Sequence, residues 1–289
     1  MKITGTLILI FLSCLFFFLP LPLNKATSKL DYSGNKIDST HTFSKISFTY
    51  GISKTTFDLR ASQIVVTLSG ISVSQKNADT WGSAILNSAS NILTPALHYS
   101  FAGPNHEYFY NYEIDINKFI DDLLNEISKN KNISDIIFIA HSSGVFVAHE
   151  IFRRMYDLNQ DSLKITSGKI HFFSMDGAIG KNQGIRLTQS SVNNLNKIYC
   201  VYAKNKISGD LSARSGDVLD LFNEFKDKTV LVELDASESG CLKEAKWCLH
   251  QYLVNKKPYN SKGFDFINDY GNISASNPVN IDYLYYLTK

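Results

Sequence analysis

Charge bias is the first thing this 289-residue sequence lacks: 29 basic residues stand against 27 acidic ones, leaving a formal net charge of +2. No long basic run occurs, so the electrostatic footprint that nucleic acid demands is missing, and no nucleic-acid partner is expected. Metal-binding spacings are also missing. There is no His-Glu-x-x-His and no Cys-x-x-Cys, and Cys241, Cys248 and His250 would supply three ligands from one short loop, a thin case for zinc. Gly177, Gly180 and Gly184 are too irregular for a phosphate cradle. No metal and no cofactor is therefore expected. The sequence has no internal repeat, no low-complexity stretch and no linker.

Apolar residues are not scarce. At 44% hydrophobic content the chain can bury a sizeable core, and it reads as one domain over residues 29–289. Residues 1–28 read as a secretory signal. Lys2 gives a minimal positive end, Leu7 to Leu19 is almost wholly apolar, Pro20 and Pro22 break it, and Ala26-Thr27-Ser28 offers a cut after Ser28. The rival is an uncleaved anchor through residues 7–23, just long enough to span a bilayer. Cys14 lies inside the apolar run with more apolar residues after it, a poor lipoprotein site. Secretion leaves Cys200, Cys241 and Cys248. In an oxidising compartment Cys241 and Cys248 could pair across a short loop, with Cys200 free and buried on a strand. Asn132-Ile133-Ser134 and Asn272-Ile273-Ser274 would be glycosylation acceptors in a eukaryotic host.

Strand and helix patterns alternate along the chain. His41 to Tyr50, Thr55 to Leu59, Gln63 to Leu68, Ala96 to Phe101, Ile136 to Ile139, Ile170 to Met175, Ile198 to Ala203 and Val230 to Leu234 read as strands. Thr80 to Leu93 is helix-like, and Ser190 to Leu195 is a short helix candidate. Ile116, Phe119, Ile120, Leu123, Leu124 and Ile127 recur at helical spacing, with Asp121, Asp122 and Glu126 on the other face. Val145 to Met155 forms another helix. This alternation predicts an α/β fold with a mostly parallel central sheet and helices on both faces.

The chemistry centres on Asp135-Ile136-Ile137-Phe138-Ile139-Ala140-His141-Ser142-Ser143-Gly144. An apolar strand enters a turn of small residues, and a helical pattern leaves it. That is the layout of a nucleophile elbow, in which Ser142 would project from the top of the sheet. Ala140 and Gly144 are the small neighbours that let strand and helix approach. The motif Ala-x-Ser-x-Gly departs from the usual Gly-x-Ser-x-Gly by one methyl group, a departure known among lipases. In motif and strand order, residues 43–254 resemble the α/β-hydrolase superfamily.

The resemblance implies a base after the last strand, in the order Ser, acid, His, and His250 fits. The acid would lie beyond the penultimate strand, where Asp210 is favoured. Asp176, directly after the Ile170 to Met175 strand, is the alternative, with Asp217 behind both. Asp235 reads as structural. The oxyanion hole would use the backbone N–H of Ser143 and, from the loop Ser69-Gly70-Ile71, that of Ile71. The family's His before that glycine is replaced by Ser69. The segment from Asp176 to Lys197 is short, which speaks against a large helical cap.

His141 reads as a filler of the elbow, and His149 and His171 as structural. The aromatic run His106 to Tyr112 reads as packing beneath a loop, or alternatively as one wall of an acyl pocket. Tyr283 to Leu287 reads as a docking element. The expectation is a secreted serine hydrolase acting on a small-molecule ester or lipid, with possible contact to a membrane or lipid surface. A thioesterase, amidase or acyltransferase using the same triad, and an inactive hydrolase-fold binding protein, are the alternatives.

Overall fold

A computed structural model describes residues 45–47, 51–56, 60–93, 95–104, 113–158, 170–177, 187–258 and 266–289. The expected signal segment, His41, His106 to Tyr112, Gly180 and Gly184 lie outside the described residues. Among the described residues no helix is long and apolar enough to cross a membrane.

The described strands form one sheet. They are β1 (Lys45–Ser47), β2 (Ile52–Thr56), β3 (Gln63–Leu68), β4 (Ala96–Phe101), β5 (Asp135–His141), β6 (Ile170–Met175), β7 (Lys197–Asn205), β8 (Asp210–Leu211) and β9 (Thr229–Asp235). The order across the sheet is β1-β2-β4-β3-β5-β6-β7-β8, with β9 also pairing with β7. β4, β3, β5, β6, β7 and β9 run parallel. β1, β2 and β8 join antiparallel at the edges. Parallel strands need coverage on both faces, which explains why β3 to β6 read as nearly unbroken runs of apolar residues.

The coverage is two layers of helix. On one face α3 (Glu113–Lys129), α4 (Gly144–Leu158), α5 (Gln189–Asn193) and α6 (Ser215–Glu224) pack against Ile64, Val66, Phe138 and Phe172. On the other, α1 (Gln75–Ser88), α2 (Ser90–Leu93), α7 (Lys246–Tyr252), α8 (Phe266–Gly271) and a C-terminal 3₁₀ helix (Asp282–Thr288) cover Val65, Ile137, Ile139 and Phe173. Adjacent residues of one strand thus feed opposite cores, as strand alternation requires.

Most sequence-predicted elements coincide with these. The early part of the chain differs: β2 starts at Ile52, not Thr55, because Gly51 takes a positive φ of 84° and reverses the chain there. α1 starts at Gln75, five residues before the expected Thr80, where the Ser74 hydroxyl accepts the Asn77 N–H and caps it. α6, α7 and α8 are short helices with no counterpart in the sequence reading.

Candidate active site

Three parallel neighbours, β3, β5 and β6, set the site. Leu68 pairs with Ala140, and His141 pairs with Met175. The residues just beyond those ends, Ser69-Gly70, Ser142 and Asp176, therefore share one edge of the sheet. Ligands of open α/β sheets bind at this carboxyl edge.

Ser142 and Asp176 both leave their strands in the left-handed region, at φ 56° and 46°. A non-glycine residue there costs about 1 kcal/mol or more, and such residues concentrate at functional sites. Each turn is held by the neighbouring strand: Ser142 donates its N–H to the Met175 carbonyl (3.0 Å) and Asp176 to that of Val201 (2.8 Å). Ser142 remains 7% exposed, whereas Asp176 and His250 are wholly buried.

The turn needs glycine at 144 for a steric reason. A Cβ there would lie 2.3 Å from the Leu68 carbonyl oxygen, which is overlap with backbone. Gly70 makes the matching approach from the β3 side. A Cβ there would sit 3.1 Å from Ser142 Cβ and 3.0 Å from the Tyr270 hydroxyl, so the loop backbone lies directly beside the serine.

His250, on α7, meets Asp176. Its Nδ1 lies 2.5 Å from Asp176 Oδ2. Both carboxylate oxygens of Asp176 also accept the Arg214 N–H, each at 3.2 Å. Arg214 caps the N-terminus of α6, so the positive end of that helix faces the carboxylate. Burial pushes Asp176 up, opposed by the Arg214 N–H. Burial pushes His250 down, and the Arg214 charge adds to that. Arg214 was missed by sequence reasoning, because α6 opens on Ser215-Gly216 without an apolar signal.

Asp210 is placed elsewhere. It lies in β8 and pairs with Asn205 across the β7–β8 hairpin. The structure brings Asp176, not the favoured Asp210, to the imidazole, because β6 ends beside the elbow strand and β8 is an edge ribbon off β7. Asp217 stands 3.8 Å from its neighbour Arg214. Asp235 accepts from Ser237 and lies 3.7 Å from Lys206. Ile71 and Ser143 sit in the two loops flanking the serine, and among the described residues neither N–H has an acceptor.

Three other described histidines have neighbours of their own. His98 Nε2 meets Thr67 Oγ1 at 2.8 Å, His171 lies 3.4 Å from Asp135, and His149 packs beside Phe172. Among the described residues no cluster of His, Cys, Asp and Glu could hold a metal ion. Cys241 and Cys248 form a disulfide, with Cα atoms 5.6 Å apart, and Cys200 is free and buried on β7.

His141 is not mere filler. Its ring is fully buried, 4.3 Å from that of His250 by centroids. Its Nε2 bonds the His250 carbonyl (3.0 Å) and its Nδ1 bonds the Tyr270 hydroxyl (2.5 Å). Tyr270 also accepts the Gly70 N–H at 2.8 Å. No sequence signal pointed to Tyr270, which lies 128 positions (270 − 142) after the serine in a polar tail.

No protein-family model and no curated protein matches this chain. Among solved structures it is similar to MGS-M1, an α/β hydrolase enzyme from a Medee basin deep-sea metagenome library. That match has 12% identity and a TM-score of 0.44, covering 68% of this chain and 81% of that one. The Pyrococcus furiosus esterase Pf2001 matches at 12% identity and TM-score 0.42, over 70% and 87% of the two chains. A hyperthermophilic esterase from Pyrobaculum calidifontis matches at 12% and 0.44, over 68% and 74%. At these scores the likeness carries no argument about activity, and the fold is read from the sheet itself. With its strand order, its parallel centre and the left-handed turn at Ser142, the chain has the α/β-hydrolase fold.

Proposed function

We propose that this protein is a serine hydrolase of carboxylic esters, lipid and acyl esters among them, working through Ser142, His250 and Asp176. The observation that carries the reading is the pairing of a left-handed serine at the end of β5 with a buried His250–Asp176 contact of 2.5 Å on the same sheet edge. A serine hydroxyl is a weak nucleophile and needs such a base.

In this mechanism Ser142 Oγ attacks the ester carbonyl and His250 Nε2 takes its proton. Asp176 accepts the Nδ1–H and so fixes the tautomer with a lone pair on Nε2. The N–H groups of Ser143 and Ile71 receive the oxyanion. Collapse of the tetrahedral intermediate breaks the C–O bond, and the alcohol leaves with the proton from His250. Water, deprotonated by His250, then releases the acid and restores Ser142. Burial keeps His250 neutral, the form with a lone pair on Nε2, and the Asp176 carboxylate at Nδ1 offsets burial by stabilising the imidazolium that forms when the proton arrives.

Secretion through residues 1–28 belongs to the same proposal, and N-terminal sequencing of the mature protein from its native host tests it. The activity is tested with a fluorophosphonate probe on the folded protein beside Ser142→Ala. Labelling of the parent alone is the expected result. A folded parent that resists the probe would overturn the hydrolase reading in favour of a binding protein on this fold.

A further inference from the structure

The contacts around His141 fix the direction of a hydrogen-bond chain. A carbonyl only accepts, so the 3.0 Å contact of His141 Nε2 with the His250 oxygen places a proton on Nε2. Burial, reinforced by the neighbouring His250, holds His141 well below the ordinary histidine range, so its ring is neutral. Nδ1 therefore carries a lone pair, and the Tyr270 hydroxyl must donate to it. The same hydroxyl oxygen accepts the Gly70 N–H. The chain runs Gly70 N–H to Tyr270 O–H to His141 Nδ1, and onward from His141 Nε2–H to the His250 carbonyl.

These four residues come from four separate elements: the loop after β3, α8, the last position of β5, and α7. From this connectivity we infer that Tyr270 is a positioning residue of the active site, whose hydroxyl fixes the 69–73 loop against the elbow and the helix that carries the base. The inference rests on the serine-hydrolase reading above. Its only proton goes to His141, so Tyr270 is not itself a donor to the oxyanion in this arrangement. It acts through the backbone of Gly70, which lies beside Ser142, and thereby through its neighbour Ile71.

The loop has reason to need this tie. Ser72 stands at a positive φ of 59°, a strained conformation for a serine. Ser69, Ser72 and Val73 bond back to Phe101, Pro104 and Gly103 at the end of β4, on the side away from β5. The Tyr270 hydroxyl supplies the matching tie on the β5 side. Trp81 meets the Tyr270 ring edge-on at 5.2 Å and holds it by contact with the ring rather than with the hydroxyl.

Tyr270→Phe removes the hydroxyl and keeps the ring, and Trp81→Phe loosens the ring and keeps the hydroxyl. With a turned-over ester, Tyr270→Phe is expected to lower kcat about tenfold or more while KM stays within about twofold, since a misplaced donor is felt in the transition state. Trp81→Phe is expected to lower Tm with a much smaller change in kcat. NMR supplies a readout independent of turnover: amide exchange at Gly70 accelerates in Tyr270→Phe, and the His141 ring nitrogens shift as Nδ1 loses its donor. Parent-like kcat and KM in Tyr270→Phe would overturn the inference while leaving the triad standing. If the parent hydrolyses no ester and resists the fluorophosphonate, the hydrolase reading fails instead. The tie is then judged by NMR alone, where unchanged Gly70 exchange and His141 shifts would refute it.

Discussion

Asp176 and His250 are both fully buried, and burial pushes each toward its neutral form, the carboxyl up and the imidazole down. The two groups share one contact and titrate as a pair. Only the form with Asp176 ionised and His250 neutral leaves a lone pair on Nε2, and one added proton abolishes it whichever atom receives it. The expected kcat/KM profile therefore has an acid limb of one proton, activity falling as pH drops. Replacing Asp176 by Asn removes the negative charge that favours the imidazolium, so the limb of the residual activity moves to lower pH. Loss of the orienting carboxylate should also cost about 10³- to 10⁴-fold in kcat, as misoriented triads do. Asp210→Asn, which alters a β8 carboxylate that makes no hydrogen bond to the imidazole, should leave kcat within about twofold. Steady-state kinetics on the two variants decides between the carboxylates, and a larger loss in Asp210→Asn would reverse the assignment. The sequence brought both aspartates forward but could not rank them by space: the order of residues says nothing of which strand end lies next to β5, and β6 does.

Elements explain what was legible and what was not. Strands rich in buried β-branched or aromatic residues, such as Gln63–Leu68 with four and Ile170–Met175 with three, announce themselves because both faces are apolar. α3 announces itself through a period of 3.6. α7 is seven residues long and α8 six, too short for a periodic signal, and their helicity comes from tertiary contacts more than from propensity. Yet α7 carries His250 and α8 carries Tyr270, so two pieces of the site rest on elements that pattern cannot find. A disulfide compensates for the brevity of α7: Cys248 lies on it, two residues before His250, and is bonded to Cys241 in the preceding loop. Closing so short a loop stabilises by about 2–3 kcal/mol in the chain-entropy account. The double substitution Cys241→Ser with Cys248→Ser should lower the unfolding free energy by about that amount. It should also lower kcat, because the helix that fixes the imidazole loses its anchor. Denaturant melts beside kinetics test this, and unchanged stability with full activity would show that α7 is held by its core contacts alone.

At the scale of the whole molecule, the site sits where the two helical layers meet one end of the sheet, and it concentrates buried ionisable groups there. Their linkage to folding has a definite sign. Burial raises Asp176 and lowers His250, and as pH falls the first shift adds to stability while the second subtracts from it, so the two contributions oppose each other. His141 is different. Its folded pKa lies well below the ordinary 6.5, held there by burial and by His250. As pH falls below 6.5 the unfolded chain takes up a proton at His141 that the native state refuses, and stability falls by up to about 1.4 kcal/mol per pH unit. Above 6.5 the contribution is flat. His141→Asn presents a carbonyl oxygen close to the position of Nδ1, still able to accept from Tyr270, and it cannot titrate. Denaturant unfolding of parent and variant at pH 7 and pH 5 is expected to show the parent losing more stability than His141→Asn over that interval, whatever the variant's stability at pH 7. Equal losses would mean that the acid sensitivity of the fold originates elsewhere than in the buried imidazole beside the nucleophile.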